Sequence, residues 1–230
     1  MFNINFNTAI QNPAVISYKT MRRMIGILGM SLPVILFFWS VFLTDDHFLL
    51  DSISSYYHTN RRDLFVGILC AVSFFLFSYH GYDLLDFAVF KIASLSGLFI
   101  ALFPAFIKSP ENVYIHIGPK VSEVTNTIHY ISAFIFFVSL AFVSLVLFTK
   151  TGDDSGDKNV TRRKVLRNRI YTVCGTLILF CIACMIVLNF LPETAPIFTL
   201  DPVFWVETVA LFSFSVSWLV KGEVFMADKK

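Results

Sequence analysis

Charged residues are scarce in this chain. Asp, Glu, Lys and Arg make up 15% of its 230 residues, whereas they make up about 25% of a typical soluble domain. Hydrophobic residues make up 56% of the chain and include 27 phenylalanines. The formal net charge of +2 is too small to favour a nucleic-acid partner. The composition therefore predicts an integral membrane protein that does not bind nucleic acid.

The motifs that identify common enzyme classes are also missing. The sequence contains no H-E-x-x-H, no G-x-S-x-G and no G-x-x-x-x-G-K-[ST]. Its four cysteines fall within apolar segments, including the C-x-x-C pair Cys181 and Cys184. We expect them to be small packing residues rather than a redox or metal site. Any function must therefore be argued from polar residues scattered among apolar segments.

Six apolar segments reach the length of about 20 residues that spans a bilayer as a helix. They cover residues 24–43, 64–79, 87–107, 128–149, 170–191 and 203–220. Pro33 and Pro104 fall inside two of them and are expected to kink them. No soluble stretch is long enough to form its own core. We predict an all-α protein, a single transmembrane domain over residues 1–230 that forms a bundle of six transmembrane helices.

The basic residues predict an orientation. With a cytoplasmic N-terminus, fourteen Lys and Arg residues fall on the inner side, and four fall outside: Arg61, Arg62, Lys108 and Lys120. An even number of spans places both termini in the cytoplasm. On the inner side, His80, Asp83 and Asp86 are expected to form a solvated loop.

Several ionisable residues should meet on the outer side. His58 lies in the first outer loop and Asp63 at the start of the second span, while His129 and Glu207 lie near the outer ends of the fourth and sixth spans. Ionisable groups at membrane depth are costly, so they indicate function by default. The sequence predicts a shared outer site, although spacing alone does not bring these side chains into contact.

The residue types are compatible with metal-dependent hydrolysis. His58, His129 and Glu207 are candidate ligands for zinc, which would activate a bound water. Asp63 or Glu207 is a candidate general base, and Ser54 a candidate donor to a developing oxyanion. Arg61 and Arg62 are candidate contacts for a lipid phosphate. We count Ser54, Asp63 and Glu207 as the candidate catalytic residues.

Structural interpretations of the same residues stay open. His58 could be a loop histidine in water, and Asp63 only a helix cap. His129 could be an interfacial residue, and Glu207 could pair with Arg61 or Arg62.

Five segments resemble a family of bacterial six-span membrane proteins of uncharacterised activity. They are residues 55–59 (SYYHT), 62–67 (RDLFVG), 79–83 (YHGYD), 204–207 (FWVE) and 217–223 (SWLVKGE). The resemblance covers most of the chain and implies a multi-pass protein of the bacterial inner (plasma) membrane. It implies no particular reaction.

A looser resemblance concerns the alkaline ceramidase and adiponectin-receptor superfamily of membrane hydrolases. The spacing Ser54-x-x-x-His58, followed by Asp63, is similar to one of its motifs. The last span departs from the pattern because it lacks the His-x-x-x-His of that superfamily, so His129 would have to replace a ligand.

The leading functional hypothesis is an outward-facing, zinc-dependent hydrolase that acts on a lipid or another amphiphile. The alternative is a non-enzymatic receptor, channel or transporter that binds an ion or small ligand at the same residues. A third hypothesis is a structural subunit in which the polar residues serve only packing.

Overall fold

The computed structural model describes residues 17–42, 49–81, 83–106, 121–150, 162–192 and 194–225. These residues form six α-helices and no β-strand. The helices are α1 (Tyr18–Phe42), α2 (Arg62–Ser78), α3 (Leu84–Leu102), α4 (Glu123–Phe142), α5 (Arg162–Phe190) and α6 (Pro202–Lys221). Two short 3₁₀ helices, Ser54–His58 and Pro196–Leu200, precede α2 and α6, and a π-helical turn, Val143–Leu147, continues α4. The predicted all-α class is confirmed.

Five of the helices are long and apolar enough to cross a membrane, and α2 is the exception. It has 17 residues, which corresponds to about 26 Å at 1.5 Å per residue. The predicted membrane-protein class is therefore supported by five helices, while the sixth span stays a prediction.

The helices form a closed ring. Each one packs against its neighbours in sequence, and α1 closes the ring by packing against α6. Every helix contributes a fully buried side chain to the centre, and these include Leu36, Leu76, Phe90, Phe136, Ile178 and Trp218. Large apolar side chains such as Phe74 and Phe180 remain exposed on the outside of the ring, as expected for a surface that faces lipid.

Glycine allows α1 and α6 to approach closely. A Cβ atom built on Gly26 would lie 2.7 Å from Cγ of Leu219 and 3.0 Å from the backbone oxygen of Ser215. Gly29 is equally crowded, because its Cβ would lie 2.7 Å from the ring of Phe214. The ring thus closes along a face of α1 that has no side chains at these two positions.

The predicted C-terminal end of the third span is wrong. The third apolar segment was expected to continue to residue 107 with a kink at Pro104, but α3 ends at Leu102 and Phe103 is extended, with φ −110° and ψ 106°. A residue that precedes proline is disfavoured in the helical region. Pro104 therefore ends the helix, whereas Pro33 lies inside α1. The non-helical residues 103–106, which we call the extended segment after Phe103, become part of the candidate site.

Candidate functional site

Three side chains hold the extended segment of residues 103–106. Nδ1 of His129 lies 2.7 Å from the carbonyl oxygen of Phe103, and Nε2 of His58 lies 2.8 Å from that of Ala105. The backbone N–H of Phe106 donates to Oδ1 of Asn126 at 2.8 Å. Backbone groups released where a helix ends in an apolar environment need partners. These side chains from outside α3 supply them.

Each of the two histidines uses one ring nitrogen to bind a backbone carbonyl oxygen. A carbonyl oxygen only accepts hydrogen bonds, so the protonated nitrogens are Nε2 of His58 and Nδ1 of His129. Both side chains are buried, at 8% and 4% exposure. Burial lowers the pKa of His58; the bond to Ala105 opposes this shift, and the Arg62 charge adds to it. His58 is thus favoured in its neutral form.

The start of α4 fixes the depth of His129. Ser122 caps the helix by accepting from the N–H of Thr125, and the Thr125 side chain bonds back to the Ser122 N–H. Such a capping box defines the first residue of a helix. His129 then lies nearly two turns inside α4, level with the extended segment that it binds.

Glu207 joins the loop before α2 to the first turns of α6. Its Oε2 accepts a hydrogen bond from the backbone N–H of Ile53 at 2.6 Å. The N–H of Phe204, at the start of α6, donates to the carbonyl oxygen of Asp51 at 3.0 Å. These two bonds position residues 51–54 beside α6.

Hydroxyl groups and one carboxylate form a small network in this loop. Oγ of Ser55 donates to Oδ1 of Asp51 at 2.5 Å, and Oγ of Ser52 lies 2.7 Å from Oγ of Ser55 and 3.2 Å from that of Ser54. Ser54 therefore shares its hydroxyl with another serine. A nucleophilic serine is instead paired with a base such as histidine, and none of the hydrogen bonds of the described residues supplies one here.

These elements enclose a cavity of about 410 Å³ between α4, α5 and the start of α6, which we call the α4–α6 cavity. One part of its lining is polar and includes Asp51, Ser52, Ser54, His129, Tyr130, Asn189 and Glu207. The rest is apolar and includes Phe134, Phe137, Ile182, Met185, Ile186 and Phe190. The extended segment contributes Ala105 and Phe106. The cavity thus combines a polar end with apolar helix walls.

The cavity brings together some predicted site residues and leaves out others. Ser54, His129 and Glu207 line it, whereas His58 binds the Ala105 carbonyl and is not among the described lining residues. Asp63 is exposed in the first turn of α2, where the helix dipole favours its charge. Asp63 therefore has the position of a residue that stabilises a helix start.

Arg61 and Arg62 lie against aromatic rings. The guanidinium of Arg62 is 4.4 Å from the ring centroid of Tyr57 and donates to the Tyr57 hydroxyl at 2.7 Å. The guanidinium of Arg61 is 5.8 Å from the centroid of Tyr56. Neither arginine is among the described residues that line the cavity.

The zinc prediction gains no support from the ligand geometry. Within the described part of the chain, no three His, Cys, Asp or Glu side chains come together as a metal site requires. Only His129 and Glu207, of the three predicted ligands, line the cavity. Zinc therefore stays a prediction for metal analysis to test.

Sequence reasoning did not single out several of the polar residues that line the cavity. Asp51 and Ser52 belong to the same polar stretch as Ser54, and Asn189 is an isolated amide near the end of an apolar helix. The position of Asn189 within an apolar run could have marked it as a candidate, because a polar side chain there needs a partner or a function.

The predicted solvated loop at the other end of the bundle is wrong for Asp86. Its side chain is buried, and Nζ of Lys150 contacts Asp86 at 2.6 Å and Asp83 at 2.8 Å. Asp83 also caps α3 by accepting from the Asp86 N–H. These residues tie the start of α3 to the end of α4.

The chain matches no family model, no curated protein and no solved structure. The resemblances noted from the sequence therefore stay untested, and the function has to be argued from the α4–α6 cavity itself.

Proposed function

We propose that this protein is a six-span protein of the bacterial inner membrane that binds an amphiphile, a lipid or lipid-like molecule, in the α4–α6 cavity. The cavity itself carries the proposal. Its volume of about 410 Å³ falls in the range of about 300–1,000 Å³ that is typical of small-molecule sites. Its polar end and apolar walls match a ligand with a head group and a hydrocarbon portion.

The sixth span in this proposal is α2. Its 17 residues reach the lower limit of about 17–25 for a spanning helix. It packs between α1 and α3, both of which are long and apolar enough to cross a membrane. A helix within a closed ring of spanning helices shares their environment.

The distribution of basic residues supports an outward-facing cavity. The cavity lies at the end of the bundle where α2, α4 and α6 begin. The opposite end carries Arg162, Arg163 and Lys164 at the start of α5. With both termini in the cytoplasm, the cavity opens toward the outer leaflet.

Binding is favoured over hydrolysis because the described residues complete no catalytic arrangement. Ser54 shares its hydroxyl with Ser52, and His129 donates to a backbone carbonyl. A hydrolase is the second candidate because three predicted site residues line the same cavity, namely Ser54, His129 and Glu207. Metal analysis of the purified protein separates the two candidates: near-stoichiometric zinc that disappears in His129→Ala would favour the hydrolase.

Two tryptophan variants of α5 test the binding proposal. Ile186 lines the cavity, whereas Leu179 is not among its described lining residues, and the two are similarly exposed, at 46% and 43%. Ile186→Trp should weaken the binding of a fluorescent amphiphile to protein in lipid nanodiscs, because the larger ring occupies cavity volume. Leu179→Trp should bind like the wild type. Equal binding by both variants and the wild type would contradict the proposal.

A further inference from the structure

The charged side chains that line the α4–α6 cavity have one sign. They are Asp51 and Glu207, and the described lining contains no Lys or Arg. A third acid, Asp201, lies close to this end of the cavity; burial and the nearby Asp51 charge both raise its pKa. The carboxyl groups at the polar end of the described cavity thus face no Lys or Arg in its lining.

Arg61 and Arg62, the predicted contacts for a lipid phosphate, have partners within the protein. Arg62 donates to the Tyr57 hydroxyl and lies over the Tyr57 ring, and Arg61 lies over the ring of Tyr56. His129 uses Nδ1 on the Phe103 carbonyl. The side chains that would bind a phosphate therefore make their contacts with other groups of the protein.

Glu207 lacks a protein counter-ion within the described residues. Glu207 takes part in no ion pair with another described residue, and its carboxyl group accepts a hydrogen bond from the backbone N–H of Ile53. A carboxylate removed from water is strongly stabilised by a cation at close range. A ligand in the cavity could supply that cation.

We infer, given the amphiphile binding proposed above, that the α4–α6 cavity selects amphiphiles with a cationic head group, an amine or a quaternary ammonium. The head group lies between the carboxylates of Asp51 and Glu207. The ring of Tyr130, which also lines the cavity, offers a cation–π contact. The hydrocarbon chain follows the apolar side chains of α4 and α5.

The experiment compares two probes with the same hydrocarbon chain, dodecyltrimethylammonium and dodecyl phosphate. Each displaces a fluorescent amphiphile from the protein in nanodiscs of uncharged lipid, and empty nanodiscs correct for partitioning. We expect the ammonium probe to bind tighter by about tenfold or more, as one charge-assisted contact provides. Asp51→Asn/Glu207→Gln should remove this preference, and Glu123→Gln, which changes an exposed acid at the same end of the bundle, should retain it.

The outcomes separate the inference from the proposal on which it rests. Equal affinity of the two probes, or tighter binding of the phosphate, would overturn the cationic selectivity while leaving the amphiphile site in place. Failure of both probes to bind the wild type would overturn the binding proposal itself. If the double variant does not fold, the ratio of affinities in the wild type still decides the inference.

Discussion

The hydrogen bond between Ile53 and Glu207 should hold the loop before α2 on α6. The Glu207 carboxylate accepts this bond at 2.6 Å, and Ile53 is only 4% exposed. Glu207→Ala removes the acceptor and leaves the N–H of this buried residue without its partner. Glu207→Gln retains an amide oxygen on a side chain of the same length, so a neutral acceptor remains.

The expected losses differ for the two variants. A buried donor left without an acceptor costs about 1–3 kcal/mol of unfolding free energy, which is the loss expected for Glu207→Ala. Glu207→Gln keeps an oxygen acceptor for the Ile53 N–H and should lose about 1 kcal/mol or less. At about 2–4 °C per kcal/mol for a chain of this length, the alanine variant should melt about 2–12 °C below the wild type.

Thermal unfolding in detergent without added ligand measures this difference. Amide hydrogen exchange gives a local readout, because the Ile53 N–H should exchange faster in Glu207→Ala than in Glu207→Gln. Glu123→Ala is the control, since Glu123 is exposed near the same end of the bundle. The reasoning is refuted if Glu207→Ala is as stable as the wild type, or if glutamine destabilises the protein as much as alanine.

Three further perturbations test the packing and the charges. Gly26→Ala should cost about 1–3 kcal/mol of stability, because its Cβ would meet α6. Gly67→Ala is the control and should cost nothing, because no atom lies within 4 Å of its added Cβ. Chemical denaturation of the two variants measures the difference in unfolding free energy. Because burial lowers the pKa of His58, the unfolded chain binds more protons below about pH 6.5. The wild type should therefore lose stability from pH 7 to 5 more steeply than His58→Gln in melting curves, and parallel curves would contradict this. Lys150→Met should destabilise the fold by about 1–3 kcal/mol, since buried Asp86 loses its ion pair with Lys150. Unchanged unfolding would show that this ion pair contributes nothing.

Hydropathy predicted where the helices are but not where they end. Apolar runs identify all six helices, because spanning a bilayer demands about 20 apolar residues. The run around α3 continues past Leu102, so hydropathy extended the helix to residue 107. The decisive information was local: proline disfavours the helical conformation at Phe103. Closure of the ring through α1 and α6 was also not predictable, since glycine spacing gives no partner by itself.

The sequence predicted at which end of the bundle the site residues lie, but not which way their side chains point. Sequence position placed His58, His129 and Glu207 near one end of the bundle. Which side of its helix each one occupies depends on packing, and that decides which side chains line the cavity. His58 binds the extended segment instead, and Asp63 lies exposed at the start of α2. Asp51 lines the cavity in a loop that is held beside α6 by the bond from the Phe204 N–H to its carbonyl oxygen. Hydropathy does not predict this contact between distant parts of the chain.

The end of α3 links the structural role of His129 to any function of the cavity. The Phe103 carbonyl is released by the break at Pro104, and His129 supplies its hydrogen bond while lining the cavity. His129→Ala should therefore disturb the cavity wall whether or not a metal binds. His129→Asn places an amide N–H near the position of Nδ1 and can keep the bond to Phe103. If the role is structural, the asparagine variant should retain amphiphile binding while the alanine variant loses it, as measured by displacement of a fluorescent amphiphile. Loss of binding in both, in variants that melt like the wild type, would show that the ring itself contacts the ligand or a metal.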